Sequence, residues 1–294
     1  MQEQVINRAT GLLIIEVVNS NPNGDPDRES DPRQRADGKG EISPVSFKRK
    51  LRDLVENRNG MVFQSLKQRL QLEDEHYYIL ESREINREAV KKELSKDLKE
   101  FKEKDFLESV FVKKYWDARI FGNTFLEQGG NKGFIKTGVV QFGMGLSVAE
   151  IEVERQTNTC KSGKQEGKKQ GMAPLAYRVV THGVYCMPFF VNPTYAQKSG
   201  CEKNDIELLK ALIPYAYDHT RSAIRPDVRI RHAWYIEHKD PLGSCPDYLL
   251  LDALTPRIKE GVEHPERWED YAVPGSLPEN LVKRVHSCVD LINP

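Results

Sequence analysis

The segment TGLLIIEVVNSNPNGDPD, at residues 10–27, decides the fold because an aliphatic run gives way there to a long polar loop. Aliphatic and β-branched residues dominate positions 10–18, and a short apolar run bounded by turn residues is typical of a buried strand. The loop that follows reaches Glu41 and is dense in Asn, Pro, Asp and Gly. A polar loop of this length inside a compact domain is usually functional or disordered. The segment therefore predicts a buried first strand and a loop of one of these two kinds.

An amphipathic helix is predicted directly after this loop. Ser43 can serve as its N-cap, and Pro44 suits the first helical position. Four apolar residues from Phe47 to Val55 then fall at i, i+4, i+7 and i+8, which places them on one face of a helix to about residue 57.

Basic residues surround the apolar face of this helix. Lys48 and Arg52 are four residues apart and share one flank, whereas Arg49 points outward and Lys50 lies on the opposite flank. The free N–H groups of a helix start attract phosphate, and the long loop before it is basic. Basic residues beside an apolar face can also simply extend to water. Both interpretations stay open for Lys48 and Arg52.

Further elements follow from the spacing of apolar residues. Strands are predicted at residues 77–80, 136–148, 174–191 and 228–238, and helices at residues 86–104, 106–122 and 206–221. In the last strand, Arg229 and Arg231 are predicted on one face, with Ile230, His232 and Trp234 on the other. An apolar stretch near residues 281–289 ends the pattern.

A long β-hairpin with a basic tip is predicted in the middle of the chain. Residues 150–154 alternate glutamate and apolar side chains, as in a half-exposed strand, and an alternating strand returns from residue 174. Residues 158–172 are rich in Lys and Gly and contain no large apolar residue before Met172. Such a tip buries too little apolar surface to pack alone, so we expect it to order against a partner. The whole succession fits a ferredoxin-like α+β sheet of the RNA-recognition type.

Composition limits the class of protein. The 294 residues suffice for two average domains or one large one, and 38% hydrophobic residues can form a sizeable core. No run approaches the ~20 apolar residues of a membrane span, and the first residues carry no export signal. Five scattered cysteines include no CxxC pair, which argues against zinc and a disulfide framework. We therefore expect a cytoplasmic protein with no membrane partner.

Charge is balanced overall but clustered locally. The 44 basic and 44 acidic residues cancel, which argues against a nucleic-acid-binding protein whose entire domain is basic. Basic residues nevertheless outnumber acids at residues 28–52, 161–169 and 221–231. Phosphate binding needs a local stripe of positive charge and not a net one. The clusters make a track for nucleic acid plausible.

Signatures of catalysis are absent from the sequence, which contains no HExxH, no GxSxG and no complete P-loop. The acidic loop fails as a calcium loop because Ser30 stands where such a loop has glycine. Its carboxylates Asp25, Asp27 and Asp31 could still hold magnesium for RNA cleavage, since one or two acids plus phosphate suffice. A metal-dependent endoribonuclease therefore stays open as the alternative, although no metal or cofactor is predicted.

Several segments resemble a known family. They are NSNPNGDPD at residues 19–27, SFKRKLRD at residues 46–53, GVVQFG at residues 138–143, LSVAEI at residues 146–151 and the segment 177–185. Together they are similar to the backbone subunit of type I-C CRISPR surveillance complexes (Cascade), which belongs to the RAMP superfamily. The resemblance extends from the first strand to about residue 234, and NPNGDPD is its most specific part.

The resemblance implies a single RAMP-type domain over residues 1–294, shaped like a right hand. A ferredoxin-like palm would carry helical fingers at residues 86–122 and a β-hairpin thumb at residues 150–177. Several copies would stack along one CRISPR RNA and present it for pairing with target single-stranded DNA in the R-loop, in antiviral defence. Other implied partners are the guide-handle-binding, large and small subunits of Cascade. The motif matches the non-cleaving branch, which implies a scaffold that is no enzyme and uses no cofactor.

The predicted RNA contacts lie in the first loop, the first helix and the central hairpin. They are Arg33, Arg35, Lys48, Arg49, Lys50, Arg52, Lys136, Lys161, Lys164, Lys168, Lys169, Met172, Arg178 and His182. Lys48 and Arg52 would contact phosphates at the helix start, and Met172 would be an apolar wedge between bases. A purely structural protein-interaction subunit, which would bind no RNA, is the third interpretation.

Overall fold

The computed structural model describes residues 6–83, 86, 88–90, 92, 110–122, 137–161 and 172–293 of the chain. Within these ranges, each helix is too short or too polar to cross a lipid bilayer. Most of the predicted helix at residues 86–104 and most of the hairpin tip lie outside the described residues.

The strands range in length from 2 to 20 residues. In chain order they are β1 (Ala9–Ser20), β2 (Gly24–Asp25), β3 (Asp31–Pro32), β4 (Lys39–Ile42), β5 (Val140–Phe142), β6 (Gly145–Glu150), β7 (Val153–Lys161), β8 (Met172–Val191), β9 (Val228–Glu237), β10 (Arg257–Ile258), β11 (Tyr271–Ala272) and β12 (Ser287–Asp290). Eight of them form one antiparallel sheet in the order β12-β9-β1-β8-β6-β4, with β5 and β7 also paired to β8. The short pairs β2–β3 and β10–β11 lie apart from this sheet. The protein is mixed α/β with one large antiparallel sheet.

The predicted first strand is confirmed as β1, which lies between β8 and β9 in the sheet. Its pairing with β8 runs from Ala9 opposite Val191 to Ser20 opposite Val180. Alternate side chains enter two separate cores, one on each face of the sheet. Burial on both faces explains why the apolar run is continuous and not alternating.

Helices pack on the sheet or beside it. They are α1 (Pro44–Glu56), α2 (Met61–Leu70), α3 (Val110–Lys114), α4 (Trp116–Phe121), α5 (Ala196–Ser199), α6 (Lys203–Leu212), α7 (Asp247–Leu254) and α8 (Glu279–Val282). The prediction for α1 is confirmed at both ends: the Ser43 side chain accepts a hydrogen bond from the Ser46 backbone N–H at 3.2 Å, and Asn57 is the C-cap. The helix predicted to stop near Gly122 ends there as α4.

The first core joins β1 to α1, α2, α4 and α6. Phe47 and Leu51 of α1 are fully buried in it, and burial of such side chains contributes about 1.5–3 kcal/mol each. Two buried ion pairs fix α4 within this layer. Arg119 contacts Asp205 of α6 at 2.8 Å, and Asp117 contacts α1.

The second core lies on the opposite face of the sheet and is built by the C-terminal region. Leu250 and Leu254 of α7, with Tyr271 and Leu281, pack against the even-numbered side chains of β1. The C-terminal sixty residues, which add little to the resemblance, therefore complete the fold by covering this face. The apolar stretch predicted near residues 281–289 corresponds to the end of α8 and the strand β12.

Two predicted elements are wrong in type or length. Residues 77–80 form no strand, and Tyr78 makes only an isolated bridge with Tyr115. Three of these residues, Tyr77, Ile79 and Leu80, are instead buried in a segment between two helices. Their β-propensity therefore reflects a preference for burial and does not by itself produce a strand. The helix predicted at residues 206–221 ends at Leu212 and continues as a 3₁₀ turn that contains Pro214, which cannot extend an α-helix.

A β-bulge overturns the prediction that Ile230 and Trp234 share a face. The register of β1 against β9 shifts between Ile14 and Ile15, which pair with His232 and Ile230 respectively. The extra residue places Ile230 against the first core and Trp234 in the second.

Candidate nucleic-acid interface

The loop between β1 and α1 is ordered by its own polar side chains. Asn23 Oδ1 accepts a hydrogen bond from the backbone N–H of Ser43 at 2.7 Å, which ties the loop to the start of α1. The Asp25 carboxylate accepts a hydrogen bond from the backbone N–H of Asp27 at 3.1 Å, and the Asp25 backbone carbonyl accepts one from that of Ser30 at 2.8 Å. The Asn and Asp residues of this segment therefore act as turn formers.

Two carboxylates of this loop, those of Asp25 and Asp31, lie beside arginines. Arg33 lies 3.8 Å from Asp25, and Arg178 pairs with Asp31. Across the described ranges, no group of three His, Cys, Asp or Glu side chains is placed to hold a metal ion. Two of the three carboxylates that the endoribonuclease alternative needs are thus ion-pair partners of predicted RNA contacts.

Lys48 and Arg52 lie together over the ring of Phe121, 5.0 and 5.3 Å from its centroid, as their shared flank predicts. Burial lowers the pKa of Lys48, and the charge of Arg52 lowers it further. Arg52 is only 5% exposed, and its Nε donates to Asp117 at 2.9 Å while Glu81 lies 3.5 Å away. The charge of Arg52 is therefore used inside the fold.

Arg49 and Arg35 lie near the surface beside acidic residues. Arg49 is 3.6 Å from both Asp53 and Glu56, and Arg35 is 3.6 Å from Asp37. Ion pairs of this kind contribute about 0–1 kcal/mol. Phosphate could therefore replace these carboxylates at little cost.

Lys50 differs from the other basic residues of α1. It is 5% exposed, with Nζ 5.1 Å from the ring centroid of Tyr217, and no carboxylate within the described ranges lies within 4 Å of it. Burial lowers its pKa to about 8, and the charge of Arg225 is the next cause. Asp53 opposes the shift, but Asp53 also lies beside two arginines.

Arg225 completes a pair of neighbouring cations at this position. Its Nε donates to the backbone carbonyl of Asn21 at 3.0 Å, and burial lowers its pKa. The hydroxyl of Tyr217 beside them is buried without a hydrogen-bond partner among the described residues. Placing a buried and a half-buried cation side by side without a counter-charge is costly, so this arrangement is suited to an anion that binds between them. We name Lys50, Arg225 and Tyr217 the α1 cation site.

The central hairpin is present as the antiparallel pair β7–β8. Pairing extends from Val153 opposite Val180 to Lys161 opposite Met172. Arg178 lies near the foot of the hairpin, directly opposite Arg155. Four other predicted contacts fall outside the described residues. They are Lys136, Lys164, Lys168 and Lys169.

His182 belongs to a separate buried cluster on β8. Its Nε2 lies 3.3 Å from Glu16, the single charged residue in the apolar run of β1. Arg231 and Arg229 lie 3.4 and 3.6 Å from the same carboxylate. Burial opposes ionisation of Glu16, but the His182 hydrogen bond and the two arginines outweigh it and lower its pKa. The cluster leaves His182 only 8% exposed.

Sequence reasoning did not single out four residues that the structure brings to this surface. Arg225 lies within the basic cluster at residues 221–231, so charge counting found its region. Tyr217 and Arg155 carry no local signal, because their roles depend on α1 and on the hairpin register. Asn21 lies in the recognised polar loop, but its burial is set by contacts with β8.

Comparison with known proteins places the chain in a family. A family model described as CRISPR-associated protein Cas7 matches residues 7–275. A Haloferax volcanii protein described as CRISPR-associated protein Cas7 is 26% identical over 231 residues, which are 70% of this chain and 63% of the relative. The chain therefore spans less than two thirds of that relative's length.

Solved structures to which the chain is similar are more distant in sequence. A chain of a "CRISPR RNA-guided surveillance complex, pre-nicking" is 15% identical with a TM-score of 0.48, and each chain is covered over 79%. A chain of a type III-B Cmr-beta complex bound to cognate target RNA is 10% identical with a TM-score of 0.43, over 79% of this chain and 61% of that one. Because the family model covers everything from β1 to β11, the chain belongs to the Cas7 family.

Proposed function

We propose that this chain is a non-catalytic backbone subunit that binds CRISPR RNA and oligomerises along it. The α1 cation site carries the proposal. Lys50 is buried and the neighbouring Arg225 is half-buried, with no carboxylate within 4 Å of either cation in the described structure, and RNA supplies one phosphate per nucleotide. The CRISPR-associated description of the family supports the guide as the RNA concerned.

This proposal assigns a palm, fingers and a thumb to separate segments of the chain. The antiparallel sheet with α1 is the ferredoxin-like palm, residues 86–122 contribute the fingers, and the hairpin at residues 150–177 is the thumb. The β7–β8 pair supports this assignment because its pairing continues from Val180 to Met172, whereas the pairing of β8 with β1 ends at Val180. In this proposal Lys161, Lys164, Lys168 and Lys169 would contact the RNA, with Met172 as the wedge between bases.

The contacts within α1 divide into binding and supporting residues. Lys50 contacts phosphate, and Lys48 and Arg49 add positive charge beside it. Arg52 instead positions α4 through Asp117, because its guanidinium is buried and already hydrogen-bonded.

The wider assembly is part of the same proposal. Target single-stranded DNA in the R-loop, further copies of this chain and the remaining Cascade subunits are its partners, in the cytoplasm. The type I-C assignment rests on the NPNGDPD segment. Two carboxylates of that loop lie beside arginines, which supports binding over cleavage.

The test compares two lysines that lie over tyrosine rings. Lys50→Met should lower affinity for labelled single-stranded RNA about ten- to hundredfold, the value of one charge-assisted hydrogen bond. Lys210→Met is the matched control, since Lys210 lies 5.0 Å from the Tyr235 ring but pairs with Glu207. Equal affinities for the two variants would refute the α1 cation site.

Catalysis and guide binding need separate measurements. The purified protein should carry RNA of uniform length and should leave labelled RNA intact in Mg²⁺. Cleavage that disappears in Asp25→Ala would establish the endoribonuclease instead. Protein that binds no RNA at any salt concentration would establish the protein-interaction subunit.

A further inference from the structure

A cleft of about 220 Å³ lies at the foot of the β7–β8 hairpin. The first loop forms one wall through Asn21 and Asp31, the hairpin forms another through Arg155 and Arg178, and Ile224 closes the end. The cleft adjoins the α1 cation site, because Asn21 accepts the Arg225 hydrogen bond through its backbone carbonyl.

Asn21 presents a buried hydrogen-bond acceptor without a partner. Its side chain is 2% exposed, and its Nδ2 donates to the backbone carbonyls of Ser30 at 2.8 Å and Arg178 at 3.4 Å. These two acceptors fix the orientation of the amide, since only the NH₂ group can face them. Oδ1 is then left without a hydrogen-bond partner among the described residues. A buried acceptor in this state is costly unless a ligand supplies a donor.

Arg155 lines the same cleft and provides a second, independent reason to expect a ligand there. It lies directly opposite Arg178 in the hairpin register, and like charges placed opposite each other destabilise a strand pair. Asp31 compensates Arg178, whereas Arg155 is exposed and has no ion-pair partner within the described ranges. An anion bound between the two guanidinium groups would turn this repulsion into attraction.

We propose that the cleft binds one nucleotide of the RNA, with its phosphate on Arg155 and Arg178 and an N–H or O–H donor of the same nucleotide on Asn21 Oδ1. The inference rests on the proposed RNA-binding function. It adds a contact that recognises the sugar or the base of the nucleotide, and not only the charge of its phosphate. Phosphate itself offers no donor at neutral pH. The donor is therefore the ribose 2′-hydroxyl or a base N–H group. Tyr177, which also lines the cleft, adds a ring surface beside the nucleotide.

The two sources of the donor predict different selectivity. A 2′-hydroxyl on Asn21 makes the protein prefer RNA over DNA of the same sequence, because DNA leaves the buried acceptor unpaired. A base N–H group on Asn21 makes the protein discriminate among bases, because their hydrogen-bonding edges differ. Either preference distinguishes this cleft from a simple phosphate site.

The experiment measures affinities for five labelled strands: RNA of mixed sequence, its DNA and 2′-O-methyl counterparts, oligo-A and oligo-U. Wild-type protein should prefer unmodified RNA over both counterparts, or one uniform strand over the other, by about tenfold for one hydrogen bond. Asn21→Ala should abolish that preference. Arg155→Gln should weaken binding to every strand and lower the salt slope by about one unit. Arg257→Gln, an exposed arginine of β10, is the matched control.

Failure of this inference is distinguishable from failure of RNA binding. Wild-type protein that binds all five strands equally overturns the donor on Asn21, even where Asn21→Ala does not fold. An unchanged salt slope in Arg155→Gln overturns the phosphate position. If Lys50→Met still lowers RNA affinity in either case, the proposed function stands without the cleft.

Discussion

Lys50 and Lys210 lie over tyrosine rings in nearly the same way, but of the two only Lys210 has a carboxylate partner among the residues that the structure describes. Nζ of Lys50 is 5.1 Å from the Tyr217 ring centroid, and Nζ of Lys210 is 5.0 Å from that of Tyr235. Lys210 also donates to Glu207 at 2.8 Å. The cation–π contact is therefore a common packing feature of both lysines. Under the proposed function, the missing counter-charge is what distinguishes Lys50 from Lys210.

The same contrast holds for the buried polar groups around them. Arg119 donates hydrogen bonds from all three guanidinium nitrogens, two of them to Asp205. Around Lys50, in contrast, the Tyr217 hydroxyl and Asn21 Oδ1 are buried without partners among the described residues. Fully paired groups stabilise the fold, whereas groups that await a partner cost stability and favour a ligand. The contrast is consistent with a structural role for Arg119 and with the phosphate-binding role proposed for Lys50.

The largest expected effect is a loss of stability when the buried ion pair of Arg119 and Asp205 is removed. Arg119→Ala should lower the free energy of unfolding by about 3–5 kcal/mol, because it leaves the Asp205 carboxylate buried and uncompensated. Lys50→Met should leave stability unchanged or raise it, because it removes a buried charge that lacks a counter-charge. Urea denaturation of both variants measures the difference. A larger loss for Lys50→Met than for Arg119→Ala would contradict the division of roles.

A second prediction uses the lowered pKa of Lys50, which lies near 8. RNA affinity should fall about tenfold between pH 7 and pH 9, because the charged fraction of a group with this pKa falls by about that factor. Phosphate binding will raise the pKa in the complex and move the midpoint upward. Fluorescence titrations at constant salt measure this profile. Lys50→Met should lose the dependence, and Lys210→Met should keep it; a profile unchanged in Lys50→Met would count against Lys50 as the phosphate contact.

Much of the fold was predictable because periodicity is a local signal. The apolar run of β1 and the spacing from Phe47 to Val55 each identify an element without any tertiary information. The hairpin was likewise visible from alternation on both sides of a polar tip. The bulge near Ile230 was not, because one extra residue in β9 shows only against its partner strand.

The site was predictable only as a region. A helical wheel places Lys48 and Arg52 on one flank, and the structure confirms that they share the ring of Phe121. The wheel cannot show that Asp117 uses the charge of Arg52 or that Lys50 is buried against Tyr217. Those facts depend on residues 65 and more positions away in sequence, which no local pattern contains.

A third prediction concerns His238, a buried histidine whose two ring nitrogens both have hydrogen-bond partners. His238 Nδ1 accepts a hydrogen bond from the Ser244 backbone N–H at 3.1 Å, and Nε2 contacts Thr10 at 3.0 Å, so the ring is neutral. Burial lowers its pKa below 6.5, although Asp247 opposes the shift. The unfolded chain therefore binds the proton first, and stability should fall as pH drops below 6.5, by at most about 1.4 kcal/mol per pH unit.

Thermal melts between pH 7.5 and 5.5 test this prediction. His238→Gln should flatten the dependence over that range. Replacement of the exposed His264 by Gln should leave it unchanged. Equal slopes in the two variants would show that other groups control the acid sensitivity.

The smallest expected effect tests whether the loop acids compete with RNA. Asp31 pairs with Arg178, so phosphate must displace its carboxylate before it can occupy both arginines of the cleft. Asp31→Asn should therefore raise RNA affinity about two- to fivefold, since an exposed ion pair contributes less than about 1 kcal/mol. Glu207→Gln changes the net charge equally and controls for the general attraction of RNA. Salt titrations of both variants separate the two causes: a gain confined to Asp31→Asn marks local competition at Arg178, whereas an equal gain in both variants would mean that only net charge matters.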